Sequence, residues 1–307
     1  MTQRTPTTTT AAERSIAAYL ARRRTEIDSE LDRLVPAESR WPGTLHQAIR
    51  HSLFAGGKRL RPILCLAAAE ALGASADDVL APACGLELIH TYSLVHDDLP
   101  AMDDAPLRRG APTSHVRFGE AAAILAGDAL LTEGLAVLAR HPGGERYAAA
   151  KLSVLDVVTR AIGSEGMIGG QVADLEASPG GGQEELLAIH EAKTGRLIRA
   201  ALVAGGLYAF APEKALARLD ACGRALGLAF QIRDDLLDVE SDAATLGKEP
   251  GGDSAAEKLT FPAVWGVERS REILAEKVDE AASAALSLPG GGGRLPELAQ
   301  FVAERRS

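Results

Sequence analysis

FQIRDDLLDVE, residues 230–240, closes a long apolar stretch with Asp234, Asp235 and Asp238. A spacing of four puts Asp234 and Asp238 on one face of a helix, with Asp235 a step around it. LVHDDLPAMDD, residues 94–104, closes a second apolar stretch with Asp97, Asp98, Asp103 and Asp104. His90, Ser93 and Asp97 form a stripe at i, i+3 and i+7 there, and Pro100 breaks the helix so that Asp103 and Asp104 can fold back toward Asp97. Adjacent carboxylates repel and raise one another's pKa, and the usual relief is a divalent cation. All-oxygen sites suit Mg²⁺, with Mn²⁺ as a substitute, and Mg²⁺ keeps several waters and is often completed by phosphate oxygens. Two such clusters point to metal ions held against a phosphorylated ligand, beside an apolar cavity.

Outward from these clusters the pattern is helical from Ala11 onward. Leu20, Ile27, Leu31 and Leu34 recur at spacings of three, four and seven, and the segments 60–72, 76–98, 120–140, 147–163, 184–206, 213–238 and 261–287 read the same way. Gly56-Gly57, Pro142 to Gly144, Pro179 to Gly182 and Pro289 to Gly293 separate them. No alternation of period two predicts a sheet. The expectation is an all-α bundle in one domain, residues 11–307, behind a disordered Thr-rich leader, residues 1–10. A division near residue 143 or 180 would separate acidic clusters that have to share one site.

Composition agrees with a helical enzyme. The 307 residues are 46% hydrophobic but only 4% aromatic, and Ala and Leu abound. A net charge of −9 argues against a general nucleic-acid surface while leaving room for a local basic pocket. Cys65, Cys84 and Cys222 are odd in number and far apart, which reads as buried, reduced thiols. The uncharged apolar run from Ala200 to Pro212 is shorter than the ~18 residues of a membrane span. With no basic-then-apolar leader, a cytoplasmic location is expected.

The complementary positive charge is clustered. GGKRLRP offers Lys58, Arg59 and Arg61, LRRG offers Arg108 and Arg109, HEAKTGRLIR offers Lys193 and Arg196, and Lys248 and Lys258 follow the second acidic cluster. Arginine grips phosphate bidentately and lysine acts as a movable point charge. Arg59 is expected to face solvent. Gly195, beside Lys193 and Thr194, costs ~1 kcal/mol inside a helix, so either a backbone distortion or close helix packing is required there. Gln231 lies on the same side of its helix as Asp234, and Asp128 in AILAGDALL reads as a buried structural acid.

Taken together, GGKRLRP, HDDLPAMDD, LRRG, PTSHVRFGEAAAILAGDALL, GGQVADLE, HEAKTG, QIRDDLLD and TLGK, in this order from about Leu45 to Phe261, resemble the trans-isoprenyl diphosphate synthases of the bacterial short-chain type. The resemblance implies an all-α homodimer, with an apolar central cavity, that condenses isopentenyl diphosphate with an allylic diphosphate. It implies that Asp97, Asp98, Asp103, Asp234, Asp235 and Asp238 ligate about three Mg²⁺ ions on the allylic diphosphate. Arg108, Lys193, Thr194, Gln231, Lys248 and Lys258 would line that subsite, and Lys58, Arg61, His90 and Arg109 would hold isopentenyl diphosphate. Asp97, Asp103, Asp234 and Lys193 carry the catalytic assignment. One departure stands out: the first acidic loop reads DDAPLRRG, where many farnesyl synthases have DDDDLRRG.

Product length depends on cavity depth. Tyr92, beside Ser93 and five residues before Asp97, lies ~7.5 Å down the helix axis. An aromatic residue there accompanies fifteen-carbon products in the family, so farnesyl diphosphate is expected and geranylgeranyl diphosphate is the alternative. A terpene cyclase would not need GGKRLRP and usually lacks the second acidic motif. A non-catalytic partner subunit tends to lose acidic residues that this chain keeps.

Overall fold

A computed structural model describes residues 15–178, 180–246 and 259–305, apart from the side chains of 241–246. The leader 1–10, Lys248 and Lys258 lie outside the described residues. The helices are α1 (Ile16–Leu34), α2 (Gly43–Leu53), α3 (Leu60–Ala71), α4 (Ala76–Asp97), α5 (Ser114–Phe118), α6 (Glu120–Arg140), α7 (Ala148–Ile162), α8 (Met167–Glu176) and α9 (Gln183–His190). A π-helical turn, Glu191–Gly195, joins α9 to α10 (Arg196–Tyr208), and α11 (Glu213–Leu246), α12 (Phe261–Trp265), α13 (Val267–Leu286) and α14 (Leu295–Glu304) follow. This is the all-α bundle that the sequence predicts.

Local chemistry starts several of these helices. Ser15 and Ser75 accept hydrogen bonds from the backbone N–H groups of Ala18 and Asp77, and Thr260 does the same for Ala263, capping α1, α4 and α12. Helix α3 is apolar all round and buried from Leu60 to Ala69, so it forms the centre of the molecule. It packs on α4 and α10. Helix α10 also packs on α7 and α11, α4 runs along α6, and α11 runs along α13. Both acidic helices, α4 and α11, thus flank the same core.

Three sequence expectations change. The stretch 184–206 is broken by the π turn, and 261–287 is broken at Gly266. Helices α2, α8 and α14 are additional. The described residues also contain a hairpin: β1 (Leu107–Arg108) pairs with β2 (Ala111–Pro112) across Arg109 and Gly110, whose φ values of 54° and 79° give the twist that a two-residue hairpin needs. Strands of two residues carry no alternation that could announce them.

The most membrane-like segment is not Ala200–Pro212. Helix α6 is long and apolar enough to cross a membrane by length and composition, and 39% of its most apolar window is buried in the protein. All three cysteines are buried and unpaired.

Candidate active site

The first acidic wall is built by the way α4 ends. Past Asp97 the chain turns back on itself: Asp103 N donates to the Asp97 carbonyl (2.9 Å), Asp104 N to Leu99 O (3.1 Å) and Ala105 N to Asp98 O (3.2 Å). Asp103 therefore returns to Asp97 as expected, while exposed Asp104 takes the left-handed conformation that aspartate tolerates at the turn. Pro106 O still accepts from Thr113 N (3.1 Å), so Ala105-Pro106 leaves the loop closed on the hairpin. Burial holds the Asp97 carboxyl above the usual carboxylate range, and Asp103 and Asp98 add to this against the pull of Lys193 and Arg108.

The second wall repeats this electrostatics on α11. Burial raises the Asp234 carboxyl, opposed by Arg305 and Lys58 and reinforced by Asp235. Exposed Asp238 follows one helical turn later.

Within each adjacent pair the two aspartates differ. Asp98, 5% exposed, accepts from Arg108 Nε (2.7 Å) and Nη2 (2.6 Å). Asp235, also 5% exposed, accepts from His190 Nε2 (3.1 Å) and Phe261 N (2.9 Å) through Oδ2, and from Gln231 Nε2 (3.2 Å) through Oδ1. Asp98 and Asp235, expected with the other four aspartates to ligate metal, thus each carry protein partners in this structure. The step around the helix that separates Asp235 from Asp234 turns it into the protein, where N–H donors occupy both oxygens.

The two walls meet across the π turn. Lys193 Nζ donates to Asp174 of α8 (2.7 Å) within electrostatic reach of Asp97. Thr194 Oγ1 donates to Gln231 Oε1 (3.0 Å), and Gln231 in turn holds Asp235. Gln171 of α8 donates to Asp97. Both readings of Gly195 are realised. The backbone is distorted into a π turn, and α11 packs so close that a Cβ on Gly227 would sit 2.7 Å from the Gly195 Cα, so the approach needs glycine at 227, while a Cβ on Gly195 itself would meet nothing nearer than 3.5 Å.

A basic pocket adjoins the second wall. Lys58 senses Asp234, Arg305 and Arg109, and Arg61 senses Asp234 and Glu87. Gly57, at φ +142°, allows the Arg109 guanidinium to lie where a Cβ would clash at 2.6 Å, and Arg109 donates to the Gly56 carbonyl. Burial pushes Arg61 down to about 10 and holds the His90 imidazole well below its usual range, with Arg61, Arg109, Arg108 and Arg59 adding to the effect on His90. Arg61 Nε and His90 Nδ1 are buried with no hydrogen-bond partner among the described residues.

Other expectations are placed as follows. Arg59 does not face solvent. It is 3% exposed and bound to Asp28 (2.7 Å), Glu87 (2.9 Å) and the Leu53 carbonyl (2.7 Å), because its left-handed backbone at the start of α3 turns the side chain inward toward acids from two other helices. Asp128 is exposed rather than buried, 3.9 Å from His96 on the outer side of α6. Ser93 donates to the His90 carbonyl (2.8 Å), and Tyr92 is 5% exposed with its ring edge-on to His96 at 5.8 Å. Sequence reasoning assigned no role to Gln171, Asp174, His190 or Arg305. The first two lie in the GGQVADLE motif and His190 opens HEAKTG, whereas nothing local marks Arg305.

The donor set fits magnesium. Its oxygens are carboxylate, and burial with neighbouring acids raises the half-buried Asp97 and Asp234 carboxyls above the usual carboxylate range, an effect a dication would oppose. No three of the described His, Cys, Asp or Glu side chains form a ready cage. That is the state expected of a site whose ions are completed by water and substrate phosphate.

Comparison with known proteins places this geometry. Residues 42–286 match the family model described as polyprenyl synthetase. The farnesyl diphosphate synthase of Bacillus subtilis (strain 168) is 41% identical over 291 residues, covering 94% of this chain and 98% of that protein. Geranylgeranyl pyrophosphate synthase 11, chloroplastic, of Arabidopsis thaliana is 40% identical over 296 residues, covering 94% and 82%. Among solved structures, the apo FPP/GFPP synthase from Zymomonas mobilis superposes with a TM-score of 0.82 at 30% identity, covering 93% of this chain and 98% of that one.

Proposed function

The chain belongs to the polyprenyl synthetase family, and we propose that it condenses isopentenyl diphosphate with dimethylallyl or geranyl diphosphate to give farnesyl diphosphate. The observation that carries this reading is the pairing of two acidic walls, linked through Lys193 and Thr194, with a basic pocket whose Arg61 and His90 nitrogens await an acceptor. Residues 11–307 act as one catalytic domain, because the π turn and both acidic helices, drawn from both halves of the chain, build one site.

Each residue has a physical task. Asp97, Asp103, Asp234 and Asp238 would hold magnesium, which would supply positive charge to stabilise the allylic diphosphate as a leaving group. Asp98 positions Arg108, and Asp235 fixes α9 and α12 against α11, so both support the ligands. Arg108, Lys193 and the Thr194–Gln231 pair line the allylic side. Lys58, Arg61, His90 and Arg109 receive the second diphosphate, filling buried N–H positions that otherwise lack acceptors. The homoallylic double bond then attacks the allylic carbon, a C–C bond forms, and the released diphosphate takes the departing proton. The apolar core around α3, α4 and α10 keeps water from the cation.

Tyr92 supports a fifteen-carbon product. Its ring lies edge-on to His96, the neighbour of Asp97, and geranylgeranyl diphosphate is the second reading. Two copies of the chain pair through the outer face of α6 and its neighbours, where Ile124, Leu125, Leu152, Ile168 and Val172 are exposed. The unpaired thiols fit the reducing cytoplasm. Incubating purified protein with isopentenyl and dimethylallyl diphosphates and Mg²⁺, followed by product chromatography, tests the proposal. Elongated prenyl diphosphate is expected, and inorganic phosphate, cyclised hydrocarbon or no product would reject it.

A further inference from the structure

We propose that Arg305 is a built-in counter-cation for Asp234, and that a metal ion entering at Asp234 displaces the C-terminal segment. Arg305 is the first residue beyond α14, in extended conformation (φ −61°, ψ 143°) and only 6% exposed. Its Nη2 lies 2.7 Å from Asp234 Oδ1 and 2.6 Å from the Phe230 carbonyl, and its guanidinium covers the Phe230 ring at 3.8 Å. Arg233 Nε donates to the Arg305 carbonyl (2.9 Å), so α11 holds the residue by both backbone and side chain.

The seat is incomplete in one respect. Arg305 Nε is buried with no partner among the described residues, so the charge of Asp234 is the main compensation for burying the guanidinium. A dication taking the Asp234 oxygens removes that compensation and adds repulsion, and the arginine has to leave. Because it stands just past the end of α14 and Arg233 ties its carbonyl to α11, its exit loosens the last turn of α14. The first wall has an analogous arrangement, in which the neutral Gln171 amide occupies Asp97. Arg305 thus keeps Asp234 aimed before metal arrives, and makes the C-terminal segment a reporter of metal occupancy.

The inference rests on Asp234 being a metal ligand, and the test separates the two claims. Mn²⁺ binding is measured by electron paramagnetic resonance in the presence of inorganic pyrophosphate, for wild type, Arg305→Gln and Asp234→Asn. Removing a competing ion pair should tighten Mn²⁺ about fivefold in Arg305→Gln, and Asp234→Asn should weaken it. In the wild type, amide hydrogen exchange across residues 295–305 should accelerate with the same Mn²⁺ midpoint. Unchanged or weaker Mn²⁺ affinity in a folded Arg305→Gln protein overturns the proposal. So does unchanged exchange in the wild type, which decides the matter if the variant fails to fold. Unchanged affinity in Asp234→Asn overturns the metal-ligand reading instead.

Discussion

Replacing Asp235 with alanine should damage stability more than replacing Asp234, although the two are adjacent and chemically identical. Asp235 receives three N–H donors, from His190 (3.1 Å), Phe261 (2.9 Å) and Gln231 (3.2 Å), in a site 5% exposed. Hydrogen bonds to a charged group contribute about 1.5–3 kcal/mol each, and a buried donor left without a partner costs about 1–3 kcal/mol. These terms overlap, because His190 and Gln231 can partly re-pair while the Phe261 N–H cannot. A loss of about 4 kcal/mol is reasonable, in line with breaking a buried charged pair. For a chain of this size that corresponds to a fall in melting temperature of roughly 6 °C. Asp234→Ala removes the ion pair with Arg305, which can then swing out of its seat into water, so the melting temperature should move by only about 2 °C. Circular dichroism melts without metal read both values, and turnover should fall in both variants. Equal melting temperatures for Asp235→Ala and wild type would show that the three donors contribute nothing net, and Asp235 would rejoin the metal ligands.

Tyr92→Ala should lengthen the product beyond fifteen carbons, read by chromatography with geranyl diphosphate as primer; an unchanged profile removes Tyr92 from the cavity floor. Leu125→Glu should halve the apparent mass in sedimentation by charging an apolar face that is 58% exposed at this residue, and an unaltered mass argues against pairing through α6. The His90 imidazole sits below its usual range, so between that lowered value and ~6.5 the unfolded chain binds the extra proton, and stability rises with pH through this window. Wild-type melting temperature should therefore fall more steeply than that of His90→Gln as metal-free protein is taken from pH 7 to pH 5. Parallel slopes would contradict the buried, neutral imidazole.

Helical periodicity, the scarcity of aromatic residues and the two Asp-rich helix ends already pointed to an all-α chain with acidic clusters of a kind suited to metal and phosphate. Those signals are local: a period of 3.6 residues, a proline after an apolar run and an i, i+4 pair of acids can all be read within a dozen residues. The difference between Asp234 and Asp235, the inward turn of Arg59 toward Asp28 and Glu87, and the seat of Arg305 on Asp234 could not be read that way. Each depends on donors or acids that lie tens of residues away and become neighbours only when α3, α9, α12 and α14 pack against the central helices. Burial then assigns the roles, because a charge removed from water must find partners wherever packing supplies them, and packing joins residues that sequence order keeps apart.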